Sequence, residues 1–102
     1  MATLYVSEYS SLGTAALDYR MQSALEPSIA EQAITISASP TQSAAFNTQT
    51  KYIRVHTDSI CSIAFGQNPT AVTTAKRFAA NQTEYFGVIP GQGYKLSVIA
   101  NV

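Results

Sequence analysis

The chain has 102 residues, enough for one domain with a single hydrophobic core. Six Lys and Arg residues balance six Asp and Glu residues, and only 12% of the residues are charged. This disfavours nucleic-acid binding, which usually needs a basic patch, since only Lys76 and Arg77 are adjacent cations. The single Cys61 excludes an intramolecular disulfide, and we expect neither a signal peptide nor a membrane-spanning segment. The weakly charged surface fits either an assembly component or an ordinary Ala/Ser/Thr-rich domain.

The first third of the chain differs from the rest. Thr3–Tyr9 alternates like a strand, and Thr14–Leu25 is rich in helix formers and could form a helical turn or two before Glu26-Pro27 ends it. The apolar residues of this part make no continuous stripe, so something else must cover them. We predict that residues 1–31 are an N-terminal arm or extension. The alternative is an edge strand plus loop of the same domain. The arm hypothesis assigns protein-interface roles to four residues: Leu4, Tyr5, Tyr9 and Leu12.

Residues 32–102 read as short β-strands separated by turn signals. Apolar side chains recur at every second position, the period of a strand with one buried face. The segments are Ala33–Ala38, Ser43–Phe46, Lys51–Thr57, Ser59–Phe65, Lys76–Ala80, Thr83–Ile89 and Tyr94–Ala100. We predict an all-β fold, a small β-sandwich or jelly-roll-like barrel with an N-terminal arm.

The alternation also predicts which side chains face the core and how neighbouring strands connect. Lys51–Thr57 and Ser59–Phe65 are predicted to form a hairpin, and Pro90–Gly93 a tight turn in which glycines permit positive φ. The predicted inward set is Ile34, Ile36, Ile53, Val55, Cys61, Ile63, Phe65, Phe78, Phe86, Val88, Leu96 and Val98.

Few residues could perform chemistry. His56 is the single histidine, and a metal site needs several ligands at suitable spacing. Alternation directs Cys61 inward and His56 outward, which argues against a nucleophile–base pair. Gly91-Gln-Gly93 lies between two strands and lacks the helix N-terminus of a phosphate-binding loop. We therefore predict no enzymatic activity, no catalytic residue, no metal site and no cofactor.

The six tyrosines suit a binding surface. Tyrosine covers apolar area and still offers a hydrogen bond, so it is common at interfaces. The alternative is that most of them line the rim of the domain's own core.

The segment from about Tyr52 to Val102 resembles small proteins encoded among the virion genes of tailed bacteriophages. The start of the chain fits the same pattern, so the similarity touches most of it. The residues that carry it are Tyr52–Gly66, Asn68–Ala71, Asn81–Val88, Pro90-Gly91, Lys95–Ile99, Ala2–Glu8 and Gln42–Asn47.

The resemblance implies a virion structural protein, most naturally a capsid decoration (cement) protein. Such a protein would bind the major capsid protein or other virion proteins and stabilise the head shell, as a homo-oligomer such as a trimer. It would be assembled into the virion in the host cytoplasm, with no nucleic-acid or membrane partner. Alternatives are a head-fibre, tail or connector component, or a module that binds a host surface or glycan, because β-sandwiches support all of these roles.

Overall fold

The computed structural model describes residues 2–14 and 20–101, and this part of the chain contains only strands, turns and irregular segments. All strand pairs are antiparallel. The prediction of an all-β fold is confirmed. The strands are β1 (Thr3–Tyr9), β2 (Leu12–Thr14), β3 (Arg20–Ala24), β4 (Ala30–Thr35), β5 (Thr41–Gln42), β6 (Tyr52–Thr57), β7 (Cys61–Gly66), β8 (Lys76–Phe78), β9 (Thr83–Gly87) and β10 (Lys95–Ala100).

Two four-stranded sheets and a two-stranded ribbon organise these strands. The first sheet has the order β4-β1-β6-β9, the second has the order β5-β10-β7-β8, and β2 pairs with β3 in the ribbon. Both large sheets contribute side chains to one buried cluster. The cluster contains Leu4, Val6, Ile34, Ile36, Phe46, Ile53, Val55, Cys61, Ile63, Phe78, Leu96 and Val98.

The predicted inward set agrees closely with this core. Nine of its twelve residues are buried, and Phe65, Phe86 and Val88 are partly buried and pack against the cluster. The alternation succeeds because a strand with one covered face fixes side-chain direction through its pleat. The core also contains residues outside that set, namely Leu4, Val6 and Phe46.

Residues 3–9 form a strand inside the first sheet, so the prediction that they belong to an arm is wrong. β1 pairs with β4 on one side and with β6 on the other, so it lies inside the first sheet. Leu4 and Val6 are almost fully buried. Leu4 and Val6 are therefore covered by the domain itself, and β1 is neither an extension nor an edge strand.

Between β1 and β4, the strands β2 and β3 form a two-stranded ribbon. β2 and β3 pair through Leu12 with Ala24 and Thr14 with Arg20. The helical turn considered for Thr14–Leu25 is therefore wrong at residues 20–24, and residues 15–19 lie outside the described part. Strand pairing satisfies the backbone groups that so short a helix would leave unpaired.

The predicted hairpin between Lys51–Thr57 and Ser59–Phe65 is wrong. β6 pairs with β1 and β9, whereas β7 pairs with β10 and β8, so the turn at Asp58 carries the chain from one sheet to the other. Alternation identifies the buried face of each strand but not its partner, and both strands face the same core. Gly91 and Gly93, by contrast, do adopt the positive φ values of 75° and 68° that the turn prediction needs.

Candidate functional site

The four predicted interface residues lie in different environments. Leu4 is fully buried in the core, and Tyr9 is 4% exposed. Both side chains are packed inside the domain rather than displayed on its surface, and their interface role stays a prediction. Tyr5 is 46% exposed and Leu12 is half-buried, and the prediction for these two stands as a prediction.

The outer side of the first sheet carries a cluster of aromatic and basic side chains. Residues on β1, β6 and β9 that alternate with the buried ones point to this side. The strand register places Tyr5 beside His56, Arg54 beside Tyr85, and Tyr9 beside Tyr52. We call this surface the tyrosine face, and it comprises Tyr5, Tyr9, Tyr52, Arg54, His56 and Tyr85.

Ring contacts hold the tyrosine face together. Tyr9 and Tyr52 stack with ring centroids 5.4 Å apart, and Tyr52 and Tyr85 lie 6.3 Å apart in a tilted arrangement. Tyr5 contacts the His56 ring at 6.5 Å. Aromatic pairs at these separations stabilise one another. Because the rings are mounted on paired strands, the surface is largely ordered before any partner arrives.

The β2–β3 ribbon extends the tyrosine face at one end. A cavity of about 420 Å³ lies there, lined by Leu12, Ser23, Ala24, Tyr52 and Tyr85. The Tyr9 hydroxyl donates a hydrogen bond of 2.9 Å to Glu26 Oε2, just beyond the ribbon. Burial, with the nearby Glu26 carboxylate, raises the pKa of Tyr9, and burial raises the pKa of Tyr52. Both phenols are therefore neutral at physiological pH.

Exposure separates the supporting residues of the face from those that can make contact. Tyr85 is 58% exposed and Tyr5 is 46% exposed, while Arg54, His56 and Tyr52 are half-buried. The alternation that directs His56 outward applies equally to Tyr52 and Arg54, but neither Arg54 nor Tyr85 was among the predicted interface residues. Tyr85 alternates with the inward-facing Phe86 in β9, so the sequence could have indicated that its side chain points outward. Its position beside Arg54 depends on the pairing of β6 with β9.

The residues considered for chemistry have structural partners instead. His56 Nδ1 lies 2.7 Å from Thr83 Oγ1 on the neighbouring strand. Cys61 is fully buried, and its burial raises the pKa of the thiol. No group of three or more His, Cys, Asp or Glu side chains within residues 2–14 and 20–101 is arranged to hold a metal ion.

The buried carboxylate of Glu8 has a structural role as well. Glu8 is 1% exposed, and its Oε1 accepts hydrogen bonds of 2.7 Å from the Asn47 amide and from Thr50 Oγ1. Its Oε2 accepts a 2.9 Å bond from Gln32 Nε2. These donors tie β1 to β4 and to the loop before β6. A carboxylate so fully occupied offers little to a substrate.

The described segments contain no helix long and apolar enough to cross a membrane. Comparison with known proteins found no matching family model, no matching curated protein and no matching solved structure.

Proposed function

We propose that this chain is a non-enzymatic structural protein of a bacteriophage virion, of the capsid decoration type, which docks on the head shell and stabilises it. The observation that carries the proposal is the tyrosine face. An ordered sheet presents two exposed tyrosines beside an arginine and a histidine, and within the described residues no group of three or more His, Cys, Asp or Glu side chains could hold a metal ion.

The chemistry of the face suits contact with a protein. Tyrosine and arginine are enriched at the energetic centres of protein interfaces. Tyr5 and Tyr85 present large rigid rings with few rotatable bonds, so little conformational entropy is lost when they are covered. Modest affinity is sufficient for a decoration protein, because many copies on one lattice hold the shell through many contacts.

The sequence supports the same assignment. The resemblance of the Tyr52–Val102 segment to small virion proteins of tailed phages points to a particle component. The near-absence of net charge fits a protein whose surface is covered in an assembly.

The position of the exposed rings favours a protein partner over a glycan. A glycan site would be expected to combine exposed aromatics with Asn, Gln and Asp side chains on loops. Tyr5 and Tyr85 instead lie on strands, and their neighbours in register are His56 and Arg54. The co-sedimentation experiment below distinguishes the head shell from a head-fibre, tail or connector position.

The test is co-sedimentation of the purified protein with head shells of the encoding phage prepared without it. The wild-type chain should bind saturably, and the Y5A/Y85A double variant should bind at least about 30-fold more weakly, as expected when two interface anchors are truncated. Val72→Ala is the control, because Val72 is 52% exposed and lies outside the tyrosine face.

The outcomes separate the alternatives. Retained shell binding by V72A with loss in Y5A/Y85A supports the proposal, provided that both variants stay folded and each truncated ring costs no more than about 1 kcal/mol. Absence of binding to shells, or binding instead to tails, fibres or host glycans, would overturn it.

A further inference from the structure

An apolar groove opens at the end of the molecule near the turn after β9. It has a volume of about 420 Å³. Its lining residues are Phe65, Gly66, Lys76, Phe86, Gly87, Val88, Ile89 and Tyr94. Four of them, Phe65, Phe86, Val88 and Tyr94, also pack against the hydrophobic core. The groove is therefore a place where the core reaches the surface.

The groove is preformed and incompletely covered. The Phe65 and Phe86 rings lie 5.2 Å apart, and Phe86 in turn lies 6.0 Å from the buried Phe78. Ile89 remains 61% exposed at the rim. An exposed large aliphatic side chain beside exposed aromatic area is typical of an interaction site.

The described lining of the groove carries one positive charge. Among its described lining residues, only Lys76 is charged, and it belongs to β8, the last strand of the second sheet. β9, the last strand of the first sheet, supplies the opposite wall. A fitting occupant is therefore an apolar segment that also carries a carboxylate.

The chain itself presents such a segment between β3 and β4. In the Leu25–Ile29 turn, Leu25 is 47% exposed and Ile29 is 37% exposed, with the exposed carboxylate of Glu26 between them. The turn is held in place, because the Leu25 amide donates to the Ser11 carbonyl at 3.2 Å and the Ile29 amide to the Glu8 carbonyl at 2.8 Å.

The turn cannot fill the groove of its own molecule. One row of paired residues crosses the first sheet from Ala30 through Glu8 and Ile53 to Phe86. The Leu25–Ile29 turn adjoins the Ala30 end of that row, and the groove adjoins the Phe86 end. Three strand spacings separate them, or about 14 Å at the usual 4.8 Å each. The two features thus lie at the same end of the sheet but on opposite edges.

We propose that the Leu25–Ile29 turn of one copy docks in the apolar groove of the next copy, with Glu26 facing Lys76. Two different surfaces then meet at each contact, and such head-to-tail contacts build a closed ring when the rotation between copies closes. The apolar side chains of both surfaces leave water, and the opposite charges fix the register of the contact. This association is a property of the chain alone and does not depend on the capsid role.

The test is sedimentation equilibrium of the isolated protein across a wide concentration range. Wild type should self-associate, with an average mass that rises with concentration. Lys76→Glu and Glu26→Lys should each raise the dissociation constant roughly fivefold or more, and the double reversal K76E/E26K should restore association. Arg77→Glu is the matched control, because Arg77 adjoins Lys76 in β8 but does not line the groove.

Apolar variants provide a readout independent of charge. Ile89→Ala and Leu25→Ala should each weaken association while thermal unfolding stays unchanged. Because neither variant alters the Tyr9–Glu26 hydrogen bond, they test the contact even if Glu26→Lys destabilises the fold. A protein that stays monomeric at all concentrations would refute the proposal. An oligomer that tolerates Lys76→Glu, Ile89→Ala and Leu25→Ala would refute it as well.

Discussion

Truncation of Leu4 tests whether the N-terminal strand belongs to the core. Leu4 is fully buried in β1, between β4 and β6, and Leu-to-Ala changes at such sites cost about 2–5 kcal/mol. A loss of about 4 kcal/mol would lower the melting temperature of a domain of this size by roughly 16–32 °C. The site has strands on both sides, so it cannot collapse readily onto the cavity, which favours the upper part of the range.

The assay is urea unfolding followed by circular dichroism. For Leu4→Ala the midpoint should fall while the slope with urea stays unchanged, because the same surface is exposed on unfolding. Tyr5→Ala is the matched control on the same strand, since Tyr5 points to the opposite side and is 46% exposed. Its cost should stay within about 1 kcal/mol, the size of an aromatic contact. Equal midpoints for Leu4→Ala and wild type would show that residues 3–9 are a peripheral arm after all.

Three other predictions concern buried polar groups. Glu8→Ala leaves the Asn47 amide and the Thr50 hydroxyl without their acceptor and removes one of the two acceptors of Gln32 Nε2, which also donates to the Ala44 carbonyl. It should destabilise the fold by about 3 kcal/mol or more in urea unfolding, whereas Thr50→Val should cost about 1–3 kcal/mol. Equal, small losses for both would contradict the described network. The Cys61 thiol is buried with a raised pKa, so it should resist alkylation at pH 8 in the native state and react quickly in urea; rapid native labelling would disprove its burial. The folded-state pKa of Tyr9 is raised above 10.0, so its contribution to stability is present below pH 10 and is lost as pH rises through the folded pKa. Stability should decline above pH 10 less steeply in Tyr9→Phe than in wild type, and identical slopes would count against the raised pKa.

The elements show which properties the sequence alone determines. Strand identity and face came from local alternation, as at Ile53 and Val55 or Leu96 and Val98, because the pleat sets side-chain direction within one strand. Strand partnership depends on contacts distant in sequence. Local alternation could not show that β6 and β7 lie in different sheets.

Because local alternation does not reveal strand partners, the N-terminal segment was predicted to be an arm. The alternation of Thr3–Tyr9 identified a strand, but nothing local indicated that it would insert between β4 and β6. The burial of Glu8 also could not be predicted locally, since the three donors to its carboxylate lie 24 to 42 residues away in the sequence.

The sequence indicated that tyrosines would form the candidate site, but not which residues would lie together in it. The tyrosines suggested an interface from composition alone, and Tyr5 is an exposed member of the face. Arg54 and Tyr85 join it only because β6 pairs with β9 in one particular register. The apolar groove depends on both sheets, because Phe65 and Tyr94 come from one side of the core and Phe86 from the other.

The most direct test of the proposed role is the position of this protein in the assembled particle. Cryo-electron microscopy of the encoding phage, at a resolution that shows side chains, would reveal which virion component it contacts. We predict copies on the outside of the head shell, with Tyr5 and Tyr85 covered by the major capsid protein. Density for the chain in the tail, connector or fibres, or on the head with both tyrosines facing solvent, would contradict it.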